Sequence, residues 1–365
     1  MNQTERLDRL PLRNDLRGLH PYGAPQLDVP ILLNVNENTH GVPDDAREAI
    51  LKAVDNVLVG LNRYPDREFT ELRRALAAYL GHGLAAENIW AANGSNEVLQ
   101  QILQAFGGPG RRALGFPPTY SMYPLLANGT GTEYVTGRRT EDFGLSAASA
   151  AEQVRELAPN IVFLCSPNNP TGTALKAEVV EEVYEAGEAS QAIIIVDEAY
   201  AEFAHDGTPS AMALLPGRER LVVSRTMSKA FALAGARLGY LAAAPEIADA
   251  LRLVRLPYHL SAITQATAVA ALRNSDSLLA NVENIKIQRD RIVAGLSAFG
   301  LKPAPSDSNF VFFGGMEDPH AIWQGLLEAG VLIRDVGIPG HLRVTAGTET
   351  ETSAFLDRLA VLLGR

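Results

Sequence analysis

The chain has 365 residues, 47% of them hydrophobic and 20% charged, with a formal net charge of −10 at pH 7. That length exceeds one comfortable core and predicts a large and a smaller domain, and the acidic balance argues against a general nucleic-acid binder, which needs a basic surface. A single cysteine excludes an intrachain disulfide, and no apolar stretch reaches the ~18 residues of a membrane span. The N-terminal MNQTERLDRLPLRNDLRG lacks the apolar core of a secretion signal, so the expected location is the cytoplasm.

Residues 1–36 read as an extended polar arm punctuated by Pro21, Gly23, Pro25 and Pro30. From 37 to 260, strand patterns at 112–116, 161–165, 193–196, 221–224 and 238–243 alternate with helical ones. In 95–106, Val98, Leu99, Ile102, Leu103 and Phe106 recur at helical spacing, and 177–189 is a second such segment. Strands that are apolar throughout and alternate with helices predict an α/β unit with a mostly parallel central sheet, covered by helices on both faces. From 261 to 365 the pattern changes to one long helical stretch over 262–300, then strands near 309–313, 331–335 and 342–347. This predicts a smaller α+β domain, joined by the N-terminal arm. No internal repeat or low-complexity linker interrupts the chain.

The chemically distinctive residues follow the strand ends. After 112–116 comes 117-PPTYSMY-123, after 161–165 comes 166-SPNNPTG-172, after 193–196 comes 197-DEAY-200, and after 221–224 comes 225-RTMSK-229. Ligands of open α/β sheets bind outside the carboxyl ends of the strands, so Tyr120, Asn169, Asp197 and Lys229 are expected on one rim. Asp197 follows four aliphatic residues and is costly to bury without a cationic partner. Lys229 stands among small and apolar residues, which lowers an amine pKa and makes it a nucleophile towards carbonyl carbon. An imine-forming lysine together with an acid facing a pyridinium nitrogen is how a protein holds pyridoxal 5′-phosphate. The stretch 93-NGSNEV-98 adds a phosphate site, with Gly94 allowing close approach and Ser95 and Asn96 opening a helix; Ser228 and Arg237 add a hydroxyl and a charge. Each residue alone has a plainer reading. Asp197 could cap a helix, Asn169 could make a turn, Arg343 could be a strand-edge ion pair, and Tyr64 and Tyr22 could pack at an interface or along the arm. The seven histidines show no ligand spacing, and no metal site is read from them.

The segments 166-SPNNPTG-172, 197-DEAYAEF-203 and 225-RTMSKAFALAGARLGY-240 resemble the fold-type-I pyridoxal-phosphate aminotransferases. Adding 34-NVNEN-38, 63-RYPD-66, 93-NGSNEVLQQILQAFGGPG-110 and 255-RLPYHLS-261, the chain is similar over nearly its whole length to the histidinol-phosphate aminotransferases, in an actinobacterial variant. The resemblance implies that Lys229 forms the Schiff base with pyridoxal phosphate and moves the proton. It implies that Asp197 pairs with the pyridine nitrogen, that Tyr200 and Asn169 hydrogen-bond the phenolic oxygen, and that Tyr120 stacks on the ring. Ser95, Asn96, Thr226, Ser228 and Arg237 would hold the phosphate, which Tyr64 would reach from the other subunit of a homodimer. Tyr22, Asn36 and Arg343 would meet the substrates, L-histidinol phosphate and glutamate or 2-oxoglutarate, in a step of histidine biosynthesis. Thr39, where the family often has proline, and Ser95-Asn96, where it often has Ala-Asp, depart from the pattern close to the phosphate and substrate positions. An aromatic amino-acid aminotransferase shares every cofactor residue and stays open as an alternative, as does a decarboxylase of an amino-acid phosphate. A cofactor-binding regulator would need a DNA-binding module, for which the chain leaves no room.

Overall fold

The computed structural model describes residues 9–18, 23 and 25–365; Tyr22 lies outside them. The strands in chain order are β1 (Ile31–Leu32), β2 (Ile89–Ala92), β3 (Arg112–Gly115), β4 (Glu133–Thr136), β5 (Ile161–Cys165), β6 (Ile193–Asp197), β7 (Leu221–Thr226) and β8 (Gly239–Ala243). They continue with β9 (Lys302–Pro303), β10 (Phe310–Gly314), β11 (Val331–Leu332), β12 (Arg334–Asp335) and β13 (Leu342–Thr345). Seven of them form the central sheet, in the order β2-β8-β7-β6-β5-β3-β4. β4, β3, β5, β6 and β7 run parallel, while β8 is antiparallel to both its neighbours. Every residue of β5 and β6 is buried, as a sheet covered on both faces requires. The helix Ser95–Phe106 turns Val98, Leu99, Ile102 and Leu103 inward, and Ala147–Leu157 is capped by Ser146, whose hydroxyl accepts from the Ser149 amide.

β2 and β4 carry no clear strand signal in the sequence. β2, IWAA, is half alanine, and β4, EYVT, is a partly exposed edge strand. The long helical stretch after 261 is three helices, Ala262–Arg273, Ser275–Leu279 and Val282–Ala298. The break comes at Asn274, whose amide side chain turns back to the Ala270 carbonyl and ends the first of them.

Two apolar cores result. The first surrounds the seven-stranded sheet and takes in Ala268, Val269, Ala271 and Leu272 of the helix Ala262–Arg273. The second lies between the sheet β12-β13-β10-β9 and the helices Val282–Ala298 and Glu349–Leu362. Leu33 belongs to this second core, and β1 pairs in parallel with β11 through Ile31↔Val331 and Leu32↔Leu332. The segment after β1 therefore crosses the seam between the two cores, where the strand-end residues converge.

Candidate active site

A cavity of about 450 Å³ opens at this seam, and Asn36, Ser95, Asn96, Tyr120, Asn169, Asp197, Tyr200, Thr226, Ser228, Lys229, Arg237 and Arg343 line it. Each strand end contributes according to its position in the ladder. Cys165, Asp197 and Ser224 are register neighbours on β5, β6 and β7, and the chain then turns outward to present Asn169, Tyr200 and Thr226 through Lys229.

Lys229 sits in a turn after β7, its Nζ donating to the Val35 carbonyl at 3.0 Å. Burial lowers its pKa to about 8, helped by the charges of Arg343 and Arg237 and opposed by Glu37. Asp197, only 3% exposed, accepts from the Tyr123 hydroxyl on Oδ2 and from the Ser224 hydroxyl on Oδ1, each at 2.9 Å. Burial raises its pKa against the pull of those two hydrogen bonds. A carboxylate buried in this way suits a cationic partner.

Tyr200 Oη accepts from the amides of Asn36 at 3.0 Å and Asn169 at 3.3 Å; burial pushes its pKa up to about 12. Asn169 in turn accepts from Arg343 Nη1 at 2.6 Å, and Arg343 Nη2 donates to the Asn34 carbonyl at 2.7 Å. Asn36 adopts a left-handed backbone, φ 58°, held by bonds with Thr345 in addition to Tyr200.

At the opposite end, Gly94 caps the helix Ser95–Phe106 with φ 88° and ψ 161°, a conformation only glycine adopts freely. A Cβ there would collide with the Arg237 guanidinium. Arg237 Nη1 reaches Ser228 Oγ at 3.3 Å, and Thr226 Oγ1 donates to Ser228 Oγ at 3.0 Å. Free amides of a helix start, two hydroxyls and a guanidinium form an anion site. Tyr120 Oη donates to Asn96 Oδ1 at 3.2 Å, which fixes its ring beside the cavity. Together these groups fit pyridoxal phosphate, with an anion site at one end, a buried carboxylate on the floor and an amine of lowered pKa between them.

Tyr64 lies away from the cavity, 80% exposed, its ring stacked on Tyr258 at 4.4 Å between centroids. The sequence reading missed Tyr123, Ser224 and Arg334. Arg334 lines the cavity beside Arg343, its register partner across β12 and β13. Tyr123 lay inside the motif 117-PPTYSMY-123 and Ser224 at the end of the strand pattern 221–224, but nothing in the sequence says which way a residue at a strand end or a first helical turn points.

The sequence profile of the aminotransferase class I and II family matches residues 28–359. The chain belongs to this family of pyridoxal-phosphate-dependent transaminases of fold type I. Among named relatives, the histidinol-phosphate aminotransferase of Paenarthrobacter aurescens is 79% identical over 99% of this chain and 97% of its own. That of Frankia casuarinae is 60% identical, over 96% and 90%. In structure, the histidinol-phosphate aminotransferase of Sinorhizobium meliloti in complex with pyridoxal 5′-phosphate superimposes with a TM-score of 0.86 at 26% identity, over 97% of this chain and 98% of that one.

Proposed function

We propose that the chain interconverts L-histidinol phosphate and 2-oxoglutarate with imidazole-acetol phosphate and L-glutamate, a step of histidine biosynthesis. The observation that carries the substrate choice is the pair Arg334 and Arg343, two guanidiniums on register-paired positions of one cavity wall. They suit a substrate that ends in a phosphate and a second one that ends in a carboxylate. The 79% identity to a relative of that name supports the same reading.

Pyridoxal phosphate supplies an aldehyde that condenses with amines and a ring that accepts the electron pair left when a Cα proton departs. The protein's part is to hold and to move protons. Ser95, Asn96, Thr226, Ser228 and Arg237 would hold the phosphate, Asn169 and Tyr200 would donate to the phenolic oxygen, and Tyr120 would pack against the ring. Asp197 would pair with the ring nitrogen and keep the proton there. Lys229 Nζ, whose pKa lowered to about 8 brings the free amine within reach near neutral pH, would take the Cα proton of the donor and hand it on to the carbon that gains it in the transfer. Asn36 borders the substrate, and Arg343 and Arg334 orient its anionic end.

The same reading makes the protein a homodimer with shared sites, Tyr64 reaching the partner's cofactor phosphate. Around the Tyr64–Tyr258 stack, Val59, Leu61, Leu253 and Leu256 are exposed, an apolar surface of the kind that marks an interface. We place the seam between an arm (1–36), a cofactor-carrying unit and a smaller C-terminal unit nearer 280 than 260, because the helix Ala262–Arg273 packs into the first core. No helix among the described residues is long and apolar enough to cross a membrane, which accords with a cytoplasmic enzyme.

The deciding test compares kcat/KM for L-histidinol phosphate and L-phenylalanine in wild type and Arg334→Met. One charge-assisted contact stabilises binding by about 1.5–3 kcal/mol, so the variant should lose roughly 10- to 150-fold on the phosphate ester. Phenylalanine turnover should change little. A wild type that prefers phenylalanine moves the protein to the aromatic class.

A further inference from the structure

Asp197 is held by more than the fold of its strand. Tyr123 arrives from the helix Met122–Gly129, with its ring flat against Phe163 of β5, 4.4 Å between centroids and 7° between planes. That stack leaves the phenol little rotational freedom and aims Oη at Asp197 Oδ2. Ser224 comes from the opposite side as the register neighbour of Asp197 and donates to Oδ1. Tyr123 and Ser224 are both fully buried, so no water competes for either bond. Each carboxylate oxygen therefore carries one hydroxyl donor, with the other lone pair of each left for the cavity.

We propose that Tyr123 and Ser224 are positioning residues for the transamination: together they fix the plane of the Asp197 carboxylate and hold it as the anion, so that the shared proton stays on the cofactor's ring nitrogen. This rests on the pairing of Asp197 with that nitrogen proposed above. Burial alone favours the neutral acid, and the neighbouring Glu198 charge pushes in the same direction, whereas the two hydroxyl bonds oppose both. The phenol stays a donor because burial and the Asp197 charge hold its own proton on well above the usual range, and the adjacent Cys165 thiol is kept neutral likewise. A carboxylate stripped of its donors is a stronger base. The proton would then move from the ring nitrogen to Asp197, and the ring would accept electrons less well.

The test uses the holoenzyme reconstituted with pyridoxal phosphate carrying ¹⁵N in the ring, in wild type, Tyr123→Phe, Ser224→Ala and the double variant. Wild type should show a protonated ring nitrogen by NMR from pH 6 to 9. Each single variant should shift the signal towards neutral pyridine at the upper end of that range, and the double variant further. With it kcat should fall, by about tenfold for each lost bond, while KM holds and the substrate Cα deuterium isotope effect grows. Tyr123→Phe keeps the ring stack, and Ser224→Ala alone carries the test if the double variant does not fold. A purely structural role would lower the melting temperature and leave the nitrogen signal where it is; that result overturns the proposal. A wild-type chain that takes up no pyridoxal phosphate would instead sink the reading of the whole site, and this proposal with it.

Discussion

Replacing Gly239 by alanine adds one methyl group at the start of β8, where the strand passes beneath the turn that opens the helix Ser95–Phe106. The new Cβ would stand 2.5 Å from Ser95 Cα and closer still to Ser95 N and Gly94 C, where ordinary contact begins at 3.4 Å. All three neighbours are backbone, so no side chain can swing away, and the turn has to retreat by about an ångström. Overpacking of this kind costs about 1–3 kcal/mol of folding stability. Cofactor binding would suffer as well, because the displaced Ser95 amide is the first of those proposed to face the phosphate. Losing one hydrogen bond to a charged group costs about 1.5–3 kcal/mol, or roughly 10- to 150-fold in Kd. Titrating cofactor-free protein with pyridoxal phosphate, followed by fluorescence, measures this directly, with urea unfolding run alongside. A Kd within twofold of wild type at unchanged stability would refute both the tight approach of β8 and the place of Ser95 in the anion site.

The lowered pKa of Lys229, about 8 against 10.5 for a free lysine, predicts that covalent capture of pyridoxal phosphate by cofactor-free protein speeds up through pH 8 and levels off above it. A rate still climbing towards pH 10 would contradict the burial argument. Between those two values the unfolded chain keeps a proton that the folded chain has lost, so the Lys229 contribution to stability rises with pH across that window. Lys229→Met should flatten that rise in pH-dependent unfolding curves of the cofactor-free protein. Shared sites predict that Lys229→Ala and Tyr64→Ala proteins, mixed and re-equilibrated, regain activity: half the dimers would be hybrids with one intact site, about a quarter of wild-type sites in all. No recovery would place Tyr64 outside the partner's site.

Sequence alone was enough for the type of fold and for bringing the candidate residues to one rim. Each of the strands β3, β5, β6 and β7 carries an apolar run, and the chemically distinctive residues follow its carboxyl end. Their spacing therefore located Tyr120, Asn169, Asp197 and Lys229 before any contact was known. Local signals also marked Gly94 and the helix start after it, because a turn of that conformation needs glycine. Strands with weak local preference, such as β2, stayed hidden, since they are strands only because β8 pairs with them. Tertiary structure alone decided which side chains meet. Arg334 faces the cavity because β12 pairs with β13, and Tyr123 reaches Asp197, 74 residues on, because Phe163 fixes its ring, contacts that no local pattern encodes. The lowered pKa of Lys229 is of the same kind. Apolar sequence neighbours suggested it, but its size comes from burial at a seam between two cores and from Arg343, which arrives from the far end of the chain.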